Sequence, residues 1–110
     1  MMNKYHNEPI VIDGIRFQSK REANRWQELK LLQRAGEIDN LQRQVPFVIC
    51  PQCKTRTGKN QPARKYVADF VYTDKFGRLV VEDSKGVRTD TYKLKKALML
   101  WLYGIEIKEV

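Results

Sequence analysis

The stretch from Tyr66 to Gly86, YVADFVYTDKFGRLVVEDSKG, constrains the fold more than any other part of the chain. Tyr66–Thr73 and Leu79–Lys85 read as two strands, with Asp74-Lys75-Phe76-Gly77 as the turn between them. Alternate positions are apolar on both sides of this hairpin. Val67, Val71, Leu79 and Val81 are expected on one face, and Ala68, Phe70, Tyr72 and Val80 on the other. Strands that are apolar on both faces must be covered on both faces, so the hairpin belongs at the centre of a sheet with further elements packed above and below it.

The elements before and after it can supply that cover. Ile10–Ile12 and Ile15–Phe17 flank Asp13-Gly14, a pair suited to a tight two-residue turn, and predict a short N-terminal hairpin that must lie on something else. Ser19 to Ala35 predicts a helix. Ser19 is a good N-cap, Glu22 stands three residues on as in a capping box, and Gly36 is a natural stop. Trp26, Leu29 and Leu32 form its core-facing stripe. Leu41–Ile49 predicts a strand whose Pro46 suits an edge or a bulge. Cys50-Pro51-Gln52-Cys53 and the basic, turn-rich Lys54–Lys65 follow and are expected to be a loop. Thr91–Tyr103 predicts a second helix, capped by Thr89 or Asp90. It begins basic and becomes almost wholly apolar from Ala97, so burial on most sides is expected. Gly104 stops it, and Ile105–Val110 predicts a last strand. The fold class is therefore mixed α/β in one domain, residues 1–110. The order is hairpin, helix, three strands, helix, strand.

The hairpin also carries chemistry. If its turn places Thr73 opposite Leu79, Asp69 faces Asp83 directly, and Lys85 projects from the same face as Asp83. Opposed carboxylates in a mostly buried sheet repel each other, and a bound cation relieves that repulsion. Mg²⁺ suits one or two carboxylates completed by water and phosphate oxygens. A one-residue slip would instead put Glu82 opposite Asp69 and send Asp83 to the other face. A solvated ion pair at a strand end explains the same spacing equally well, and spacing alone does not separate the two. Glu22 likewise has a purely local reading, with its side chain bonded to the Ser19 backbone N–H.

Asp69, a turn and Asp83-Ser84-Lys85 together resemble the PD-(D/E)xK nuclease superfamily. The order helix, three strands, helix, strand across residues 19–110 is similar to that superfamily's restriction-endonuclease-like core, which implies a central mixed sheet between two helices, with the N-terminal hairpin as an addition. FQSKREA, YVADFVY, VVEDSKG and YGIEIKEV resemble a family of small phage and prophage proteins assigned to it. Ala68 stands where many members carry proline. The resemblance implies metal-dependent DNA cleavage, with Holliday-junction resolvases among phage members of this size. It implies Glu22, Asp69, Asp83 and Lys85 as catalytic residues. Mg²⁺ or Mn²⁺ would be held by Glu22, Asp69, Asp83 and the Ser84 backbone carbonyl.

Charge bears on the partner. There are 21 Lys and Arg against 13 Asp and Glu, a net charge of +8. Such an excess is the footprint of a polyanion partner, nucleic acid first. Lys20, Lys59, Arg64, Lys65, Lys93 and Lys96 are the candidate DNA contacts, set against an ordinary solvated surface. Cys50 and Cys53 are half of a zinc pattern, and structural zinc needs four ligands. The chain has one histidine, His6, and no second cysteine pair, so zinc is not expected and two free thiols are. No stretch can span a bilayer and no signal-peptide core is present, so a cytoplasmic protein is expected, in a bacterial host if phage encoded. A homodimer is compatible with a chain this short. The leading expectation is a Mg²⁺-dependent endodeoxyribonuclease. The alternative is a non-catalytic DNA-binding phage protein on the same fold.

Overall fold

The computed structural model describes residues 10–84 and 87–110. In chain order it contains β1 (Ile10–Ile12), β2 (Ile15–Phe17), α1 (Lys20–Arg34), β3 (Ile38–Cys50), β4 (Cys53–Lys54), β5 (Asn60–Gln61), β6 (Arg64–Asp74), β7 (Leu79–Asp83), α2 (Asp90–Tyr103) and β8 (Lys108–Glu109). The main sheet has the order β3-β6-β7-β8. Its first three strands are antiparallel and β8 runs parallel to β7. The expected mixed sheet, two helices and N-terminal hairpin are all present. No helix among the described residues is long and apolar enough to cross a membrane.

Local chemistry sets the element ends. Asp13 and Gly14 take φ of 53° and 77° in the β1–β2 turn, the left-handed pair that a tight hairpin requires. The Ser19 hydroxyl accepts from the Glu22 N–H at 3.2 Å and starts α1. Gly104, at φ 66°, ends α2 while its N–H bonds the Leu100 carbonyl at 2.9 Å, a stop that costs any residue with a Cβ more than it costs glycine. In the β6–β7 turn the Asp74 carboxylate accepts from the Phe76 and Arg78 N–H groups, each at 2.9 Å. This fixes Thr73 opposite Leu79, Val71 opposite Val81 and Phe70 opposite Glu82, the register expected from the sequence.

Two hydrophobic clusters cover the sheet. Leu29, Ile38, Phe70 and Tyr72 pack with Trp26, Leu41 and Val80 on the α1 side. Ile49, Tyr66, Ala68, Val71, Val81, Tyr92, Met99 and Ile107 pack on the α2 side, joined by Val45 and Phe47. Phe17, Leu29, Phe70 and Met99 are wholly buried, each worth about 1.5–3 kcal/mol in transfer terms.

A kink divides the central strands between the two clusters. On β3, Leu41 packs toward α1 and the Arg43 guanidinium lies 4.6 Å from the Phe17 ring centre, whereas Val45, Phe47 and Ile49 face α2. On β6, Tyr66 and Ala68 face α2, whereas Phe70 and Tyr72 face α1. Both strands change face together without a slip, between the pairs Arg43↔Phe70 and Val45↔Ala68. Gln44, between them on β3, has φ 51°. Strict alternation along the hairpin, which put Ala68 with Phe70 and Tyr72, is therefore corrected.

Four further expectations change. Leu32 is more than a third exposed rather than part of the α1 stripe, whereas Trp26 and Leu29 pack in the cluster on that side of the sheet. The segment expected as a loop closes into the β4–β5 ribbon, held by Cys53↔Gln61 and Lys54↔Asn60. The last strand shrinks to Lys108–Glu109. The apolar end of α2 is not buried. Trp101 is 80% exposed, with Leu100, Leu102 and Tyr103 also open, because the sheet covers only the stripe carrying Tyr92 and Met99.

Candidate functional site

The kink gathers a polar cluster where α1, β3 and β6 meet. Glu22, on the first turn of α1, is only 4% exposed. One of its carboxylate oxygens accepts from the Gln18 backbone N–H at 3.4 Å, and the other from Gln44 Nε2 at 3.2 Å. The expected bond back to the Ser19 N–H is replaced by the one to Gln18, one residue earlier. Gln44 Nε2 also reaches Asp69 Oδ1 at 3.3 Å, and Asp69 Oδ2 accepts from the Ser84 backbone N–H at 2.8 Å. One side-chain amide thus links two carboxylates from different elements, and the second carboxylate is tied to the end of β7. Among the described residues no lysine or arginine pairs with Glu22.

Asp83 is 1% exposed at the end of β7, and its Oδ2 accepts from the Tyr66 hydroxyl at 2.5 Å. Burial pushes that hydroxyl well above the ordinary phenol range, as do the hydrogen bond to Asp83 and the charges of Asp83, Tyr92 and Asp69. Asp69 and Asp83 therefore both act electrostatically on Tyr66. They are not laddered partners. The paired residues of β6 and β7 end at Phe70↔Glu82, and Asp69 turns its carboxylate to the Ser84 amide instead. Among the described residues no three His, Cys, Asp or Glu side chains are grouped to hold a metal ion. The described bonds bring together Glu22 and Asp69 through Gln44, while Asp83 bonds the Tyr66 hydroxyl. Lys85 lies outside the described residues. Of Ser84, the described bond uses the N–H rather than the carbonyl.

Glu82, the acid next to Asp83, has partners of its own. It is wholly buried on the α1 side, where Arg25 Nε and Nη2 donate to its two oxygens at 2.8 and 2.7 Å and the Tyr72 hydroxyl donates to it as well. The bond to Glu82 holds the Arg25 guanidinium above even its ordinary basicity. Glu82 is consumed by this forked pair, and Asp83 faces the other side.

The candidate DNA contacts separate into groups. Lys20 is exposed at the start of α1, two residues before Glu22. Lys59 is exposed beside the β4–β5 ribbon. Arg64 and Lys65 line an open groove of about 730 Å³ with Ile49, Thr91, Leu94 and Lys95. From Asn40 to Ala68 the sequence has no acidic residue, yet it includes Arg43, Lys54, Arg56, Lys59, Arg64 and Lys65. Lys93 and Lys96 line a separate cleft of about 420 Å³ with Arg88, Tyr92, Glu106 and Glu109. There Glu109 accepts from Tyr92 at 2.8 Å and pairs with Lys96 at 3.2 Å and Arg88 at 2.6 Å. The Tyr92 hydrogen bond, followed by the two cations, holds its carboxyl below the usual range. Lys96 is thus partly neutralised, whereas Lys93 is exposed. Cys50 and Cys53 are free and exposed.

Gln44, Tyr66 and the Arg25–Glu82 pair are the residues that sequence reasoning missed. Gln44 carries no signal of its own in the sequence, since a polar residue in an edge strand is ordinary. Arg25 and Glu82 lie 57 positions apart, so only the fold reveals them as partners.

No curated protein and no solved structure matches the chain. The profile of the family described as "Protein of unknown function (DUF1064)" matches residues 2–108, and the chain belongs to that family.

Proposed function

We propose that this chain is a metal-dependent DNA endonuclease that hydrolyses phosphodiester bonds, built on a PD-(D/E)xK-like core. The observation that carries the reading is Glu22. Its carboxylate is almost fully buried, lacks a cationic partner among the described residues, and is drawn with Asp69 onto a single amide. Burying an ionised carboxylate costs several kcal/mol unless charge compensates it. Two carboxylates converging at an exposed residue, Gln44, can be compensated from solvent.

The donor set fits a hard divalent cation such as Mg²⁺ or Mn²⁺, since every available atom is an oxygen. Glu22 and Asp69 would hold it, with Asp83 beside them. When bound, such an ion lowers the pKa of a coordinated water and stabilises charge on the phosphoryl oxygens. The rest falls to the chain itself. The Ser84 N–H fixes one oxygen of Asp69 and so orients the carboxylate. Tyr66, protonated across the neutral range, donates to Asp83 and sets its direction. Lys85 is assigned to the attacking water or the scissile phosphate. Lys20, Lys59, Arg64, Lys65 and Lys93 would bind phosphates away from the cleavage point, Lys96 more weakly because Glu109 holds it.

The test is incubation of the protein with duplex, single-stranded and branched DNA, including a four-way junction, in Mg²⁺, Mn²⁺ or EDTA. Cleavage of at least one substrate is expected with metal and none with EDTA. Glu22→Gln and Asp69→Asn should each lower the rate by at least about 100-fold, as loss of a principal electrostatic group does. Absence of metal-dependent cleavage on every substrate overturns the reading.

The acid-free basic stretch from Asn40 to Ala68 favours a second reading, a DNA-binding protein without catalysis. It predicts binding that falls steeply with salt and is indifferent to EDTA.

A further inference from the structure

We infer that Gln44 is a cation surrogate, a positioning residue whose side-chain amide occupies the place between Glu22 and Asp69 and competes with a divalent ion for it. The inference rests on the metal-dependent reading above and deepens it.

Three observations point the same way. The first is chemical. Both partners of the Gln44 amide are carboxylates that only accept, so its NH₂ rather than its oxygen must face them. A neutral donor with partial positive charge, 3.2 Å from one carboxylate and 3.3 Å from the other, does what a cation would do there. The second is conformational. Gln44 sits in the middle of a strand at φ 51°, a backbone state that residues other than glycine adopt at a cost and that persists where the surroundings impose it. The third is topological. The shared face change of β3 and β6 falls between Arg43↔Phe70 and Val45↔Ala68, and this brings Gln44 beside Asp69. Gln44 is itself exposed, so its amide can swing into solvent and vacate the place. The apo protein then keeps two carboxylates together without an ion and releases the place when one arrives.

Mn²⁺ binding measured by calorimetry or by the spin-resonance signal of free Mn²⁺, without DNA, tests this on the whole 110-residue chain. Gln44→Asn keeps an amide residue that tolerates the left-handed backbone but withdraws the NH₂ by one methylene. Two charge-assisted hydrogen bonds, one of them part-buried, are then lost, and Mn²⁺ should bind about tenfold tighter. Gln44→Glu removes the surrogate and supplies a third carboxylate. It should melt lower than wild type in EDTA and regain the difference when Mn²⁺ is added. A merely structural Gln44 would lower the melting temperature of both variants with no change in cation affinity, and that result overturns the inference. Weaker Mn²⁺ binding by Gln44→Asn overturns it too, because the amide oxygen would then be a ligand. If wild type binds Mn²⁺ and Gln44→Asn binds it equally, the surrogate role falls while the metal site stands. If no form of the protein binds Mn²⁺, both fall.

Discussion

Removal of Arg25 is the sharpest test of what holds α1 to the sheet. The Arg25 side chain is 18% exposed and that of Glu82 is fully buried, with both guanidinium–carboxylate contacts under 3 Å. In Arg25→Met the apolar stem is largely retained and the charge is lost, so Glu82 is left as a buried anion with the Tyr72 hydroxyl as its remaining partner among the described residues. Breaking a buried pair from one side costs about 3–5 kcal/mol, and the surviving Tyr72 bond puts the expected loss near the lower end, about 3 kcal/mol. Against a total stability of about 5–15 kcal/mol for a small domain this is severe. With a urea slope of about 1.5 kcal/mol/M, the unfolding midpoint should fall by about 2 M. The companion is Arg25→Met/Glu82→Gln, which removes the stranded charge and leaves an acceptor for Tyr72. It should recover at least half of the loss, because uncompensated charge rather than packing causes most of the penalty. Urea unfolding followed by far-ultraviolet dichroism measures all three proteins. A loss below about 1 kcal/mol for Arg25→Met, or no recovery in the double variant, refutes the reasoning.

Two other outcomes are expected. Burial raises the hydroxyl pKa of Tyr66, Tyr72 and Tyr92, assisted by hydrogen bonds to Asp83, Glu82 and Glu109 respectively. A pKa raised in the folded state gives stability that is complete below the unfolded value, about 10 for tyrosine, and is lost as pH rises beyond it. These three should therefore ionise together with unfolding when absorbance at 295 nm and dichroism are followed from pH 9 upward; ionisation of all tyrosines near pH 10 with the fold intact would contradict the assignment. Trp101→Ser, at a position 80% exposed, should shift stability by no more than about 0.5 kcal/mol in urea unfolding; a loss above about 1 kcal/mol would mean that this face of α2 is covered in solution.

The parts of the fold that local chemistry decides were legible in the sequence. The Asp13-Gly14 turn, the Ser19 cap, the Gly104 stop and the register set by Asp74–Gly77 each depend on residues within a few positions of one another. The preference for Asp83 over Glu82 followed from that register. What the sequence did not show depends on long-range pairing. Alternation along β6 breaks at Asp69 because β3 kinks opposite it, and no residue near Asp69 announces the break. Glu22 was expected as a capping-box acid and, from the resemblance, as a metal ligand, whereas the glutamine that joins it to Asp69 carried no signal. The apolar end of α2 read as buried because composition records hydrophobicity and not how much partner surface a narrow sheet offers.

The kink between β3 and β6 has a consequence for how the protein responds to change elsewhere. The strand pair lends residues to the α1 cluster on one side of Gln44 and Asp69 and to the α2 cluster on the other. The polar cluster therefore lies on a seam between two separately packed bodies, not inside either. A cavity opened under α1 at Leu29, or under α2 at Met99, lets one body settle relative to the other, and the displacement is taken up where they join. Interiors are close-packed and transmit such strain, so the spacing of the carboxylates should be sensitive to core substitutions that touch none of them.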